Sequence, residues 1–162
     1  MADEPAGIYY VRVLGTGGDS NSKYALLIDP PGNSPDDFYE PNDERSVVSS
    51  QPAGGTSSSN LGVLSEQIQI SNLRLEDASD WYRFETTSVG TDEHIARVEF
   101  ENDFGNLRLR LYDSLGDQVD QSIGNDDHEE VSLAGEPAGV YYLQVFGRVG
   151  DANSQYALTI VP

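Results

Sequence analysis

The sequence predicts an all-β protein, an antiparallel β-sandwich of about eight strands. Three observations predict it. Short runs rich in Val, Ile, Leu and aromatic residues recur at regular spacing. The breaks between them are rich in Gly, Pro, Asn, Asp and Ser, the residues that set turns. No segment carries the 3.6-residue apolar period over a length that would make a core helix.

The elements follow in order. Asp43–Ser49 suits one helical turn at most, and a first strand is expected over 62–70. Strands at 80–86 and 94–101 come next. Leu107, Leu109 and Leu111 alternate with Arg108, Arg110 and Tyr112, the pattern of a half-buried strand. Asp113-Ser114-Leu115-Gly116-Asp117 is a turn signal, and Gln118–Ser122 is its partner strand. A strand at 129–133 precedes Val140–Phe146, a compact aromatic and β-branched run behind a Pro-Ala-Gly turn, and 155–161 closes the set.

Alternation along Val140–Phe146 puts Tyr141, Leu143 and Val145 on one face and Tyr142, Gln144 and Phe146 on the other. Gln144 marks the second face as the wetter one. Tyr142, Gln144 and Phe146, with Tyr112 near them, are therefore candidate ligand-binding residues on an exposed aromatic patch. Ordinary packing beneath loops is the competing reading. Trp81, the single Trp, is expected to pack in the core.

An internal repeat organises the chain. Residues 4–30 match 136–162 at a constant offset of 132, with 17 of 27 positions identical. Glu4-Pro5-Ala6-Gly7-Ile8-Tyr9-Tyr10 returns as Glu136-Pro137-Ala138-Gly139-Val140-Tyr141-Tyr142. Such self-similarity is the mark of a repeat array. Residues 1–30 read as the terminal hairpin of a preceding unit, 31–36 as a Pro- and Gly-containing linker, and 37–162 as one complete unit. An unpaired copy of a hairpin has exposed strand edges, so a monomer is expected, with a strand-swapped dimer as the alternative.

The 162 residues hold 9 Lys+Arg against 28 Asp+Glu, a net charge of −19. That balance excludes a nucleic-acid binder, which needs a basic face, and disfavours anionic membranes. No run of about 18 apolar residues exists to insert in a bilayer. Residues 1–30 lack the pattern of a signal peptide, so a secreted parent would carry this chain as an internal piece. Cysteine is absent, which removes disulfides, thiol nucleophiles and thiolate metal sites.

Oxygen ligands remain. Glu40, Asn42 and Asp43 place three oxygen side chains within four residues around Pro41, whose fixed φ stiffens the segment. Asp77 and Asp80 bracket a short turn. Four carboxylates and an amide, completed by backbone carbonyls, would suit calcium, which takes about 6–8 oxygens. Alternatively, these residues cap a turn or are solvated on an acidic surface. Asp126-Asp127-His128-Glu129-Glu130 and Asp92-Glu93-His94 lack EF-hand spacing and read as loops.

Enzyme motifs fail throughout, so no enzyme is expected. Only His94 and His128 occur. There is no Gly-x-Ser-x-Gly elbow and no His-Glu-x-x-His. Gly15-Thr16-Gly17-Gly18 sits between strands, not before a helix, so it is no phosphate loop.

Four motifs in order carry a resemblance: Phe38-Tyr39-Glu40-Pro41-Asn42-Asp43, Asp77-Ala78-Ser79-Asp80-Trp81-Tyr82-Arg83-Phe84, Leu109–Gly116 and Ala138–Gly147. Together they resemble the bacterial pre-peptidase C-terminal domain, and are similar to the related collagen-binding domains of clostridial collagenases. The resemblance spans about 36–162, with a partial copy at 4–30. It implies a jelly-roll-like sandwich, non-catalytic, in secreted or cell-surface bacterial proteins, often beside peptidase domains. Some such domains bind calcium, and some bind fibrous or insoluble substrates. Glu40, Asn42, Asp43, Asp77 and Asp80 match the calcium ligands of the relatives by position. One further ligand position falls at Phe38, which cannot coordinate, with Asp37 one residue out of register. Collagen-binding relatives present several aromatics where Gln144 interrupts the row here.

The expected function is thus a calcium-binding, non-catalytic extracellular accessory or adhesion module in a tandem array, with neighbouring repeats as partners. A substrate-targeting module for a fibrous protein or polysaccharide is the alternative, and a structural spacer the third reading.

Overall fold

A computed structural model of the chain describes residues 10–14, 37–148 and 153–162, without the side chains of 153 and 154. The chain divides into two compact units, Met1–Ser34 and Pro35–Pro162. The hairpin expected over 1–30 and the linker over 31–36 lie outside the described residues, except for 10–14.

The second unit is a β-sandwich. Its described elements are α1 (Arg45–Ser50), β1 (Asn60–Val63), β2 (Ile68–Leu75), β3 (Ser79–Thr86), β4 (Ile95–Phe100), a 3-10 turn at Asn102–Phe104, β5 (Leu107–Asp113), β6 (Gln118–Ser122), β7 (His128–Ser132), β8 (Gly139–Gly147) and β9 (Asn153–Val161). One sheet runs β1-β3-β8-β5-β6 and the other β2-β9-β4-β7. All pairings are antiparallel except that of β1 with β3.

The single strand expected over 62–70 is two. β1 lies at the edge of one sheet beside β3, and β2 lies at the edge of the other beside β9. Leu64-Ser65-Glu66-Gln67 carries the chain across. The apolar residues on both sides read as one run because each strand offers its own to the same core.

β2 solves a parity problem within itself. Ile68 and Ile70 pack against the core, and so do Leu73 and Leu75, one residue out of phase with simple alternation. The register slips between Ile70 and Leu73, and Asn72 takes φ 62° there. A bulge of this kind turns the following side chains over, and Asn tolerates the left-handed conformation.

The core lies between the sheets. Tyr82, Phe84, Leu107, Leu109, Leu111, Tyr141, Leu143 and Val145 enter from the five-stranded sheet. Leu73, Leu75, Ala96, Val98, Val131, Tyr156, Leu158 and Ile160 enter from the other. Trp81 does not join them, contrary to expectation. Tyr82 and Phe84 take the inward parity of β3, so Trp81 faces outward and packs on Tyr112, with ring centroids 5.4 Å apart. At the end of the sandwich, Gly90 presses against the β7–β8 connection. Its N–H donates to the Glu136 carbonyl at 2.8 Å, and a Cβ there would stand 1.8 Å from the Leu133 carbonyl oxygen.

Candidate metal centre

The segment before α1 runs along the free edge at the start of β3. The Trp81 N–H donates to the Asn42 carbonyl at 2.8 Å, and the Ser79 hydroxyl approaches the Asp43 carbonyl at 3.4 Å. This pairing carries the acidic residues at 40–43 to the acidic turn at 77–80. Two sequence segments some 35 residues apart thereby become one cluster.

Glu40, Asp43 and Asp77 each offer a carboxylate oxygen, and these atoms lie within 4.8 Å of one another. Each side chain is held locally. The Asn42 N–H donates to Glu40 Oε2 at 2.9 Å, and the Ser79 N–H donates to Asp77 Oδ1 at 3.0 Å. Glu40 is half-buried, while Asp43 and Asp77 are exposed.

Asp80 differs in kind. It occupies an inward position of β3 and is 0% exposed. Its Oδ2 accepts a hydrogen bond from the Tyr156 hydroxyl, which in turn lies 2.7 Å from the Tyr82 hydroxyl. Its Oδ1 is buried with no hydrogen-bond partner. Burial pushes the Asp80 carboxyl up to about 9; the Tyr156 hydrogen bond works against this, and the carboxylates of Asp37, Glu40 and Asp77 add to it. Without a cation, Asp80 is a neutral acid at pH 7. A buried oxygen with no partner costs free energy, and a cation is one way to satisfy it.

Asn42 is fully buried against Glu40. With its NH2 turned that way, the amide donates to Glu40 Oε1 at 2.5 Å and Oε2 at 3.1 Å. The opposite orientation sets a carbonyl oxygen beside two carboxylate oxygens, which is repulsive unless a cation lies among them.

All five expected ligand residues therefore gather at one corner of the sandwich, with Glu40, Asp43 and Asp77 forming the closest group. Asp37 joins the neighbourhood but has other work: its oxygens accept the Tyr39 N–H at 2.7 Å and the Arg74 N–H at 2.9 Å. Burial raises its carboxyl, and those two backbone hydrogen bonds and the Arg74 charge oppose the rise. Phe38 is exposed, edge-on to the Tyr39 ring. The supporting hydroxyls of Tyr82 and Tyr156 were not anticipated. Their signal was parity: Tyr156 shares its side of the strand with Leu158 and Ile160, so its hydroxyl had to find a buried partner.

Tyr142, Gln144 and Phe146 do share the outer face of β8. Tyr142, however, is only 8% exposed, because α1 covers it. Ser49 Oγ lies 2.9 Å from the Tyr142 hydroxyl, and the Arg45 guanidinium stacks 4.2 Å from its ring centre. Tyr112 donates to Gln144 Oε1 at 3.2 Å, so it does lie beside this row.

No protein-family model matches the chain. Comparison with curated proteins returns no match. Among solved structures, the chain is similar to the pre-peptidase C-terminal domain of collagenase from Bacillus anthracis, at 23% identity and a TM-score of 0.43, covering 59% of this chain and 88% of that one. It is also similar to a periplasmic inhibitor of g-type lysozyme from Aeromonas hydrophila, at 13% identity and a TM-score of 0.34, covering 59% of this chain and 85% of that one.

Proposed function

We propose that the chain is a calcium-binding, non-catalytic accessory or adhesion module, from a secreted or cell-surface bacterial protein built of tandem units. One observation carries the reading. Three carboxylates with oxygens within 4.8 Å of one another adjoin a fully buried carboxyl whose Oδ1 has no partner. Like charges gathered at one corner repel, and a divalent cation reverses the sign of that interaction. The donors are all hard oxygens, which suits calcium or magnesium rather than zinc or copper.

Glu40, Asp43 and Asp77 would hold the ion from the solvent side and Asp80 from the protein side. Asn42 would turn its amide oxygen toward it. Five side chains fall short of the 6–8 oxygens calcium takes, so backbone carbonyls or water complete the shell, which favours calcium over the stricter octahedral magnesium. The bound ion would pin the entry segment 40–43 to β3. In an extracellular setting calcium is abundant enough to fill weak sites. The second copy of the closing sequence, at 4–30, supports the tandem arrangement.

The test is a thermal melt in excess EDTA, then in millimolar calcium, with magnesium as control. Binding to the folded state alone stabilises by about 2.7 kcal/mol at 100 times the dissociation constant. Asp80→Asn is neutral both folded and unfolded, so in EDTA at neutral pH it should melt at or above the parent, and its calcium increment should vanish. An unchanged parent melting temperature, with no binding heat in titration calorimetry, sinks the proposal.

A further inference from the structure

We infer that the outer face of the five-stranded sheet binds a carboxylated polysaccharide. This inference is independent of the calcium reading.

Alternation sends Trp81 and Arg83 from β3, Arg108, Arg110 and Tyr112 from β5, and Phe146 from β8 to this one face. The register joins them. Gln144 stands between Trp81 and Arg110, Tyr142 between Arg83 and Tyr112, and Phe146 opposite Arg108. The patch is thus continuous over three neighbouring strands.

Its charge runs against that of the molecule, with Glu85 the one acid that shares the outward parity of Trp81 and Arg83 on β3. The chain has 9 basic residues and a net charge of −19, yet Arg45, Arg83, Arg108 and Arg110 all meet at this face. Ion pairs among the described residues use Arg74 and Arg97 only. Among the described residues none of the four guanidiniums meets a carboxylate; Arg45 donates to the Ser114 carbonyl at 2.8 Å and Arg83 to Asn60 Oδ1 at 2.9 Å. The buried Nε of Arg108 and of Arg110 has no acceptor. Tyr142 registers the local field: burial raises its phenol, but hydrogen bonds from Ser49 and Arg83 and the Arg83 and Arg45 charges prevail and hold it below its ordinary value.

The rings define the occupant. Arg110 stacks 4.3 Å from the Phe146 ring centre, which directs its in-plane N–H groups sideways. Trp81 and Tyr112, both half-buried, lie with ring centroids 5.4 Å apart and planes inclined at 33°, an aromatic pair that suits the C–H face of a sugar ring. Guanidinium forks match planar carboxylates two bonds at a time.

The experiment is titration of the whole chain with polygalacturonate in EDTA, at low and at moderate salt. Dextran serves as the neutral control and poly-glutamate as the acidic-peptide control. Saturable binding to polygalacturonate that weakens with salt, with no binding to dextran, is expected. Arg110→Gln and Arg108→Gln should each weaken it about 5–10-fold and Trp81→Ala at least about 5-fold, with the melting temperatures of the arginine variants near the parent's. Three results would each overturn the assignment: no binding, binding that requires calcium, or poly-glutamate binding equally well with no effect of Trp81→Ala.

Discussion

Asp80 and Trp81 are neighbours on one strand, and they face opposite worlds. Asp80 points inward to Tyr156 and shares its surroundings with Glu40, Asp77 and Asp37. Trp81 points outward to Tyr112 on a face carrying four arginines and no described ion pair. Two surroundings of opposite charge are thus separated by the thickness of one sheet. Their difference shows that a two-residue period can segregate charge as effectively as it segregates oil from water. Total charge describes neither region.

Four measurements break or sharpen that contrast. The largest effect belongs to the inner side. Asp80 keeps its proton to about pH 9 when folded but ionises near 4 when unfolded. Unfolding between those values therefore releases a proton, and stability falls as pH rises through that window. In EDTA the loss should reach at most about 3–4 kcal/mol from pH 5 to pH 8, read by denaturant melts. Asp80→Asn should flatten the slope. A parent slope no steeper than that of the variant would show that Asp80 is ionised in the fold. Calcium comes next, raising the melting temperature by roughly 10 °C at 100 times its dissociation constant, with no such rise in Asp77→Asn.

Third in size is the hydroxyl chain that supports Asp80. Tyr82→Phe leaves Tyr156 one partner short and should cost about 1 kcal/mol in chemical denaturation. The smallest effect lies on the outer face. Arg110→Gln should change stability by less than about 0.5 kcal/mol, since its half-exposed charge pairs with no described carboxylate. A large loss there would mean that the arginines serve the fold.

Much of this was legible in the sequence, for reasons that mark where it stopped. Leu107, Leu109 and Leu111 alternate strictly and lie in the core as expected. The sandwich class follows from such runs. The strand expected over 62–70 failed because a continuous apolar stretch cannot show where a chain changes sheets. The outward turn of Trp81 failed because residue type was weighed above parity, although Tyr82 and Phe84 already filled the inner side. For the acidic corner, residue types and spacing, with the resemblance, singled out Glu40, Asn42, Asp43, Asp77 and Asp80 as candidates. They could not distinguish the exposed carboxylates from the one that is buried and neutral, since burial depends on strands distant in sequence. Nor could they place Arg45 beside Tyr142, which needs α1 folded back over β8.

The order of strands has a consequence for how the unit is made. β8 is the shared neighbour of β3 and β5, and β9 is the shared neighbour of β2 and β4. The last two strands of the unit are thus the middle of both sheets. During synthesis, everything before Gly139 can form only paired fragments with open inner edges, and the core closes when the final hairpin leaves the ribosome. Synthesis of the closing β8–β9 hairpin, not an early nucleus near the start of the unit, is the event that commits this unit to its fold.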